Sequence, residues 1–200
     1  MSDSSCISLP PYCAVAFKEW AVVCAALAAG RQSIILRKGG IHEGREGFRV
    51  QHSTFWLYPT NFHQQSQHLS DDAGDFLTAA ARQQPPPGEF HLSQLAIVEQ
   101  VIRLEHEEVV QSLRGLHIWS DATVRERFQY RQPGLFLLLV RIFAHDTPHV
   151  VQETPEMAGC KSWVDLSHPM PTTELKPVLS ETEFTARKSA VLAALDRNRT

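Results

Sequence analysis

Two cations beside two glycines, Arg37-Lys38-Gly39-Gly40, form the first segment whose residue types suit an anion. Glycines leave backbone N–H groups accessible and permit close approach, which favours a phosphate. The GxxxxGK[ST] spacing of a phosphate-cradling loop is absent, so a plain glycine turn is the competing reading. A second segment, Tyr58-Pro59-Thr60-Asn61-Phe62-His63-Gln64, gathers hydroxyl, imidazole and amide groups just after a strand-like run. Polar groups at a strand end often line a site, and His63 could act as a base or a phosphate donor. The same residues also suit a surface loop that caps its own backbone. In a third segment, Gly159-Cys160-Lys161-Ser162-Trp163, a thiol stands beside an ammonium, which lowers a thiol pKa. No His or Asn partner and no GxSxG elbow accompany it, so Lys161 reads as an anion contact and Trp163 as core.

Other chemistries lack their residues. His63 and His68 are five apart and His145 and His149 four apart, the second pair enclosing Pro148. Neither pair gains a third ligand, so no metal site and no cofactor is expected. No acid followed by a D/E-x-K element marks a metal-dependent nuclease.

Charge narrows the partner class. The net charge of −3 excludes a basic protein that coats nucleic acid by bulk attraction. The total conceals an uneven distribution. Residues 31 to 52 carry Arg31, Arg37, Lys38, Arg45 and Arg49 against Glu43 and Glu46, a net of +3. Residues 53 to 108 carry Arg82 and Arg103 against eight acids, a net of −6. The positive stretch adjoins Phe48, Phe55, Trp56 and Tyr58, a combination that could hold a phosphate backbone and stack a base. A solvated strand face with buried aromatics is the alternative. The candidate anion- or nucleic-acid-binding set is therefore Arg37, Lys38, Gly39, Gly40, Arg49, His52, Tyr58, Thr60, His63, Gln64 and Lys161.

The elements that must position these residues are mixed. Phe17 to Ala29 shows helical spacing at Trp20, Val23, Cys24 and Leu27, with Gly30 as its C-terminal cap. Ser33 to Arg37, Gly47 to His52 and Thr54 to Tyr58 read as strands, the last stopped by Pro59, and suggest a hairpin or meander. Ser70 and the acids after it start a helix through Arg82, and Pro85-Pro86-Pro87-Gly88 forms a stiff surface loop. Leu92 to Leu104 suits a buried strand or a helix. Glu105 to Leu113 and the stretch capped by Ser120-Asp121 read as helices. Leu135 to Phe143 is the best central strand, Ser162 to Leu166 a further one. Ser180 with Glu183 forms a capping box for a last helix. Without a regular βα repeat, this pattern predicts an α+β single domain on one mixed, mostly antiparallel sheet with flanking helices. Residues 1–13 are expected as a loose lead-in and 14–200 as the domain. The longest apolar run, Trp20 to Ala29, is about half the roughly 20 residues that span a bilayer. Irregularly spaced cysteines, Cys24 reading as a small buried hydrophobe, point to a reduced cytoplasmic protein with no membrane partner.

Several segments taken together resemble a known bacterial family: Lys18-Glu19-Trp20-Ala21-Val22, Leu36-Arg37-Lys38-Gly39-Gly40-Ile41, Phe55 to Gln64, His117-Ile118-Trp119 and Gly159-Cys160-Lys161-Ser162-Trp163-Val164. They are similar to the domain of unknown function DUF1802, over roughly residues 14 to 195. That family supplies no catalytic residue, which leaves enzymatic activity open. Its association with Mrr-type restriction endonuclease domains implies a restriction or defence context, with a nuclease as a separate partner. An apolar segment, Ile34 to Arg37 and then Lys161-Ser162-Trp163-Val164-Asp165-Leu166 before a terminal helix are faintly similar to the Nudix layout, which implies a small phosphorylated ligand; the metal-binding Nudix box is absent, so the similarity lends hydrolysis no support. The first expectation is a non-catalytic nucleic-acid-associated module. Its rivals are an enzyme or binder for a small phosphorylated molecule, using Arg37, Lys38, His63 and Lys161, and a protein-interaction domain. A pocket uniting Arg37, His63 and Lys161 favours the small molecule; an open positive groove favours nucleic acid.

Overall fold

The computed structural model describes residues 8–38, 50–61, 68–159 and 161–197. Seven strands form one sheet: β1 (Tyr12–Trp20), β2 (Ile34–Arg37), β3 (Thr54–Thr60), β4 (Glu89–Leu104), β5 (Leu135–Gln152), β6 (Trp163–Pro171) and β7 (Lys176–Pro177). Among the described residues, five α-helices flank it: α1 (Ala21–Ala28), α2 (Gly74–Arg82), α3 (Glu107–Gln111), α4 (Asp121–Gln129) and α5 (Glu181–Asp196). The strand order is β2-β5-β4-β3-β1-β6, with β7 paired to β5. Only β1 and β3 run parallel among these pairs, so the sheet is mixed, mostly antiparallel, and the class is α+β.

Alternation along β3 shows why the sheet is buried on both sides. Phe55 and Leu57 enter the core that packs against the helices, whereas Trp56 and Tyr58 enter a second core with Ala16, Phe90, Leu92 and Val164. The parallel pair β1–β3 is internal to the sheet, flanked by β4 and β6, as parallel strands covered on both faces are.

The first element departs from expectation. Helical spacing predicts a helix from Phe17, but residues 12–20 form β1 and the helix begins at Ala21. Seven of the eight residues of α1 are buried, so its apolar pattern has no polar phase to mark where it starts. Its end does match. Gly30 has φ +65, and the Gly30 and Arg31 N–H groups bond the Leu27 and Ala26 carbonyls, the two bonds of a Schellman cap.

The expected hairpin after it does not form from the described residues. β2 pairs with β5, β3 pairs with β4 and β1, and residues 50–53 are not strand. Residues 39–49 lie outside the description. Pro59 does not stop β3. It pairs with Glu19 of β1, beyond the last β4 partner at Trp56, so no ladder bond on that side needs its missing N–H. The ambiguous segment is strand β4, and Leu135 to Phe143 begins the long β5. Ser120 accepts the Thr123 N–H at the head of α4, and the Ser180–Glu183 capping box is present.

One contact sets the overall form of the sheet. Arg37 ends β2, on one edge of the strand order, and Ser162 directly precedes β6, on the other. Yet Arg37 Nη2 donates to Ser162 Oγ at 2.8 Å. The sheet therefore curls until its two edges approach.

Candidate functional site

A cleft of about 700 Å³ opens where those edges meet. The carboxyl ends of β1 and β3 supply Lys18, Glu19 and Trp20, and Tyr58, Pro59, Thr60 and Asn61. Arg37 comes from the end of β2. The Pro85-Pro86-Pro87-Gly88 loop leads into Phe90 along another part of the lining, and residues 153–162 contribute Glu153, Met157, Lys161 and Ser162. The proline loop thus lines the cleft.

Arg37 lies face-on to Phe17, 4.6 Å from guanidinium carbon to ring centre, and 3.7 Å from the Glu19 carboxylate. The Glu19 side chain is 0% exposed. Its Oε1 accepts the Trp20 N–H at 2.8 Å, while Oε2 and Arg37 Nε are buried without a hydrogen-bond partner. Arg127 stacks on Trp20 at 4.4 Å; burial lowers its guanidinium to about 10, against the upward pull of Glu19. Lys18 Nζ donates to the Met157 and Gly159 carbonyls at 2.5 and 3.0 Å and lies 5.4 Å from the Tyr58 ring centre. It ties the 153–162 segment to β1. Tyr58 stacks on Phe90 at 3.9 Å and donates its hydroxyl to Glu153. Burial, then the Glu153 hydrogen bond and charge, push the phenol well above its ordinary value. Thr60 Oγ1 donates to the Glu19 carbonyl at 3.1 Å. Lys161 is exposed at the cleft and donates one long bond, 3.4 Å, to the Glu156 carbonyl.

Of the residues anticipated from sequence, the cleft unites Arg37, Tyr58, Thr60 and Lys161. Lys38 is elsewhere: its ammonium donates to the Phe128, Gln132 and Gly134 carbonyls and fastens the end of α4. His52 packs edge-on against Trp163 at 5.2 Å, beside Phe17 and Phe55. Gly39, Gly40, Arg49, His63 and Gln64 lie outside the described residues, as does Cys160. Arg31 of the positive stretch pairs with Asp72 at 2.7 Å. Glu19, Phe90 and Glu153 were not anticipated. The signal for Glu19 is a Lys18-Glu19 pair interrupting an otherwise apolar run, in which a buried carboxylate is costly unless something uses it. No comparable local signal marks Glu153, which the β4–β5 ladder brings to Tyr58.

Among the described residues, no group of three or more His, Cys, Asp or Glu is placed to hold a metal ion. No described helix is long and apolar enough to cross a membrane. Cys13 and Cys24 are buried free thiols, and burial raises both.

These observations define an α+β domain with a mixed-charge cleft at the closing edges of a curled sheet. The domain of unknown function DUF1802 matches residues 16–190, and the chain belongs to that family. No curated protein matches it. Among solved structures, it is similar to ASCH from Zymomonas mobilis at 13% identity and a TM-score of 0.41, covering 88% of this chain and 93% of that one. Two mutant forms of that protein match at 14% and 11% identity with TM-scores of 0.41 and 0.43, covering 90% and 88% of this chain and 98% and 96% of theirs. At those values neither fold family nor function passes to this chain.

Proposed function

We propose that this chain is a non-catalytic, nucleic-acid-associated module whose cleft receives one nucleotide unit. The observation that carries the reading is the convergence of Arg37, Tyr58, Thr60 and Lys161 on one cavity of about 700 Å³. That volume suits a ligand of nucleotide size. Lys161, exposed at the cleft, suits a phosphate, and half-buried Trp20 offers aromatic surface for a base, whereas Tyr58 and Phe90 are buried against each other. The described lining carries Lys18, Arg37 and Lys161 against Glu19, Glu89 and Glu153, a balance that does not suit a long phosphate track. A free mononucleotide and a unit of a single strand present the same chemistry. A separate nuclease acting on a strand held here would fit the restriction context of the family resemblance.

The test is binding of labelled single- and double-stranded DNA and RNA, and of the four ribonucleoside monophosphates, across a salt series. Single strands or mononucleotides bind in the expected result, weaken as salt rises, and bind at least fivefold more weakly to Lys161→Ala. Strand affinity well above mononucleotide affinity identifies the strand as the source. Binding to no probe at low salt overturns the reading.

A further inference from the structure

The β2–β5–β4 register carries positive charge away from the cleft. Arg37 pairs with Phe136, and Phe136 with Arg103, so the three residues share one row and one face of the sheet. Two strand spacings, roughly 10 Å, separate the ends of the row. Arg37 marks the cleft end. Arg103 marks the open end, its side chain 54% exposed and its guanidinium 5.6 Å from the Phe136 ring centre. Arg103 also meets Glu105 at 3.1 Å, but both side chains are more than half exposed, so the pair contributes little and yields readily to another anion. The turn formed by residues 130–134 stands beside the same end. A Cβ on Gly134 would lie 3.3 Å from the Leu104 carbonyl, and Lys38 Nζ fastens the turn through the Gln132 and Gly134 carbonyls. Burial, and then the charge of Arg103, lower the Lys38 ammonium. On the turn Tyr130 is 52% exposed, with the Arg131 guanidinium 5.1 Å from its ring centre. Arg131 has φ +63, a left-handed conformation that strains a residue carrying a Cβ, and strain held at a surface cation points to a use for it.

Resting on the nucleotide reading above, we infer that the ligand is a single strand of nucleic acid, and that Arg103, Tyr130 and Arg131 form a second contact site for the nucleotides beside the one in the cleft. Arg103 and Arg131 take phosphates, and Tyr130 stacks a base. An exposed ring needs an unstacked base, which a duplex does not offer. The described cleft lining balances its own charges, so a strand gains its further phosphate contacts on this surface.

The experiment is equilibrium titration of the full chain with thymidine monophosphate, with single-stranded dodecathymidylate and with the duplex of that strand and its complement, across a salt series. The single strand should bind at least tenfold more tightly than the mononucleotide and more tightly than the duplex. The double variant Arg103→Ala, Arg131→Gly should weaken the strand at least fivefold and leave the mononucleotide unchanged. Its slope of log affinity against log salt should shrink by about 1.4, the loss of two phosphate contacts to a single strand. Far-UV circular dichroism and a thermal melt verify the fold of that variant; if it fails to fold, Tyr130→Ala, which should weaken the strand and spare the mononucleotide, decides in its place. A strand no tighter than the mononucleotide, a duplex as tight as the strand, or strand binding indifferent to these substitutions overturns the second contact site and leaves the nucleotide reading standing. Absence of binding to every probe at low salt overturns both.

Discussion

Two lysines with similar sequence credentials have different work. Lys38, beside two glycines, spends its ammonium on three backbone carbonyls around the end of α4. Lys161 remains at the cleft with one long hydrogen bond. Residue type made both legible as anion contacts; only the fold separates them, because the carbonyls that satisfy Lys38 come from residues 90 to 96 positions away. Buried groups carry predictions of their own. His117 is 3% exposed, and burial, the largest cause, lowers its pKa from 6.5 to about 4, with Asp121 opposing and Arg31 and Arg127 assisting. Between those values the unfolded chain binds more protons than the folded one. The stabilising contribution of the neutral ring is therefore complete above pH 6.5 and is lost as pH falls through about 4. It amounts to roughly 3 kcal/mol. Urea midpoints measured from pH 7 to pH 4 should fall, and His117→Gln should flatten that fall; identical slopes would contradict the assignment. Tyr58 acts in the opposite pH range. Its raised phenol contributes fully below the ordinary value of 10.0 and loses that contribution as pH rises through the raised one. An alkaline absorbance titration should lose its latest-ionising tyrosine in Tyr58→Phe.

Among the elements, caps and end residues are more legible than the periodic runs between them. Gly30, Ser120 and the Ser180–Glu183 box all occupy the positions that their chemistry assigns. Each depends on a few neighbouring residues and so can be read locally. The β1–α1 junction cannot, because apolar residues dominate both sides of it, with Lys18-Glu19 the one polar break, and buried α1 shows no polar face to mark its start. Pro59 misleads for a related reason: whether proline is tolerated depends on which neighbouring strand needs its N–H, and that is a tertiary fact. Gly30 also has a packing constraint. A Cβ there would lie 2.5 Å from Leu179 Cδ2, and its φ is +65. Gly30→Ala should cost at least about 1 kcal/mol in urea denaturation. A neutral or stabilising result would mean that the α1 cap and the Leu179 contact are dispensable.

At the scale of the molecule, the curl of the sheet makes the site. Strand composition indicated an α+β sheet, but nothing local in Arg37 or Ser162 indicates that they close it, since the contact spans 125 positions. Arg37 is at once the latch between edge strands and the counter-charge to buried Glu19. Arg37→Ala should therefore lower stability by about 3 kcal/mol, chiefly by leaving Glu19 buried and unpaired. Arg37→Lys should restore little, because an ammonium cannot reproduce the planar fork shared between Ser162, Glu19 and the Phe17 ring. Urea denaturation of the two variants checks this, and full rescue by lysine would contradict it. The central claim is that the cleft between the closing edges receives a nucleotide. Its most direct test is a ¹H–¹⁵N chemical-shift titration of the labelled chain with GMP. The account predicts saturable shifts concentrated at Glu19, Trp20, Arg37, Tyr58, Thr60 and Lys161, with the Trp20 indole N–H among them. Saturable shifts clustered elsewhere, or none at millimolar GMP, would contradict it.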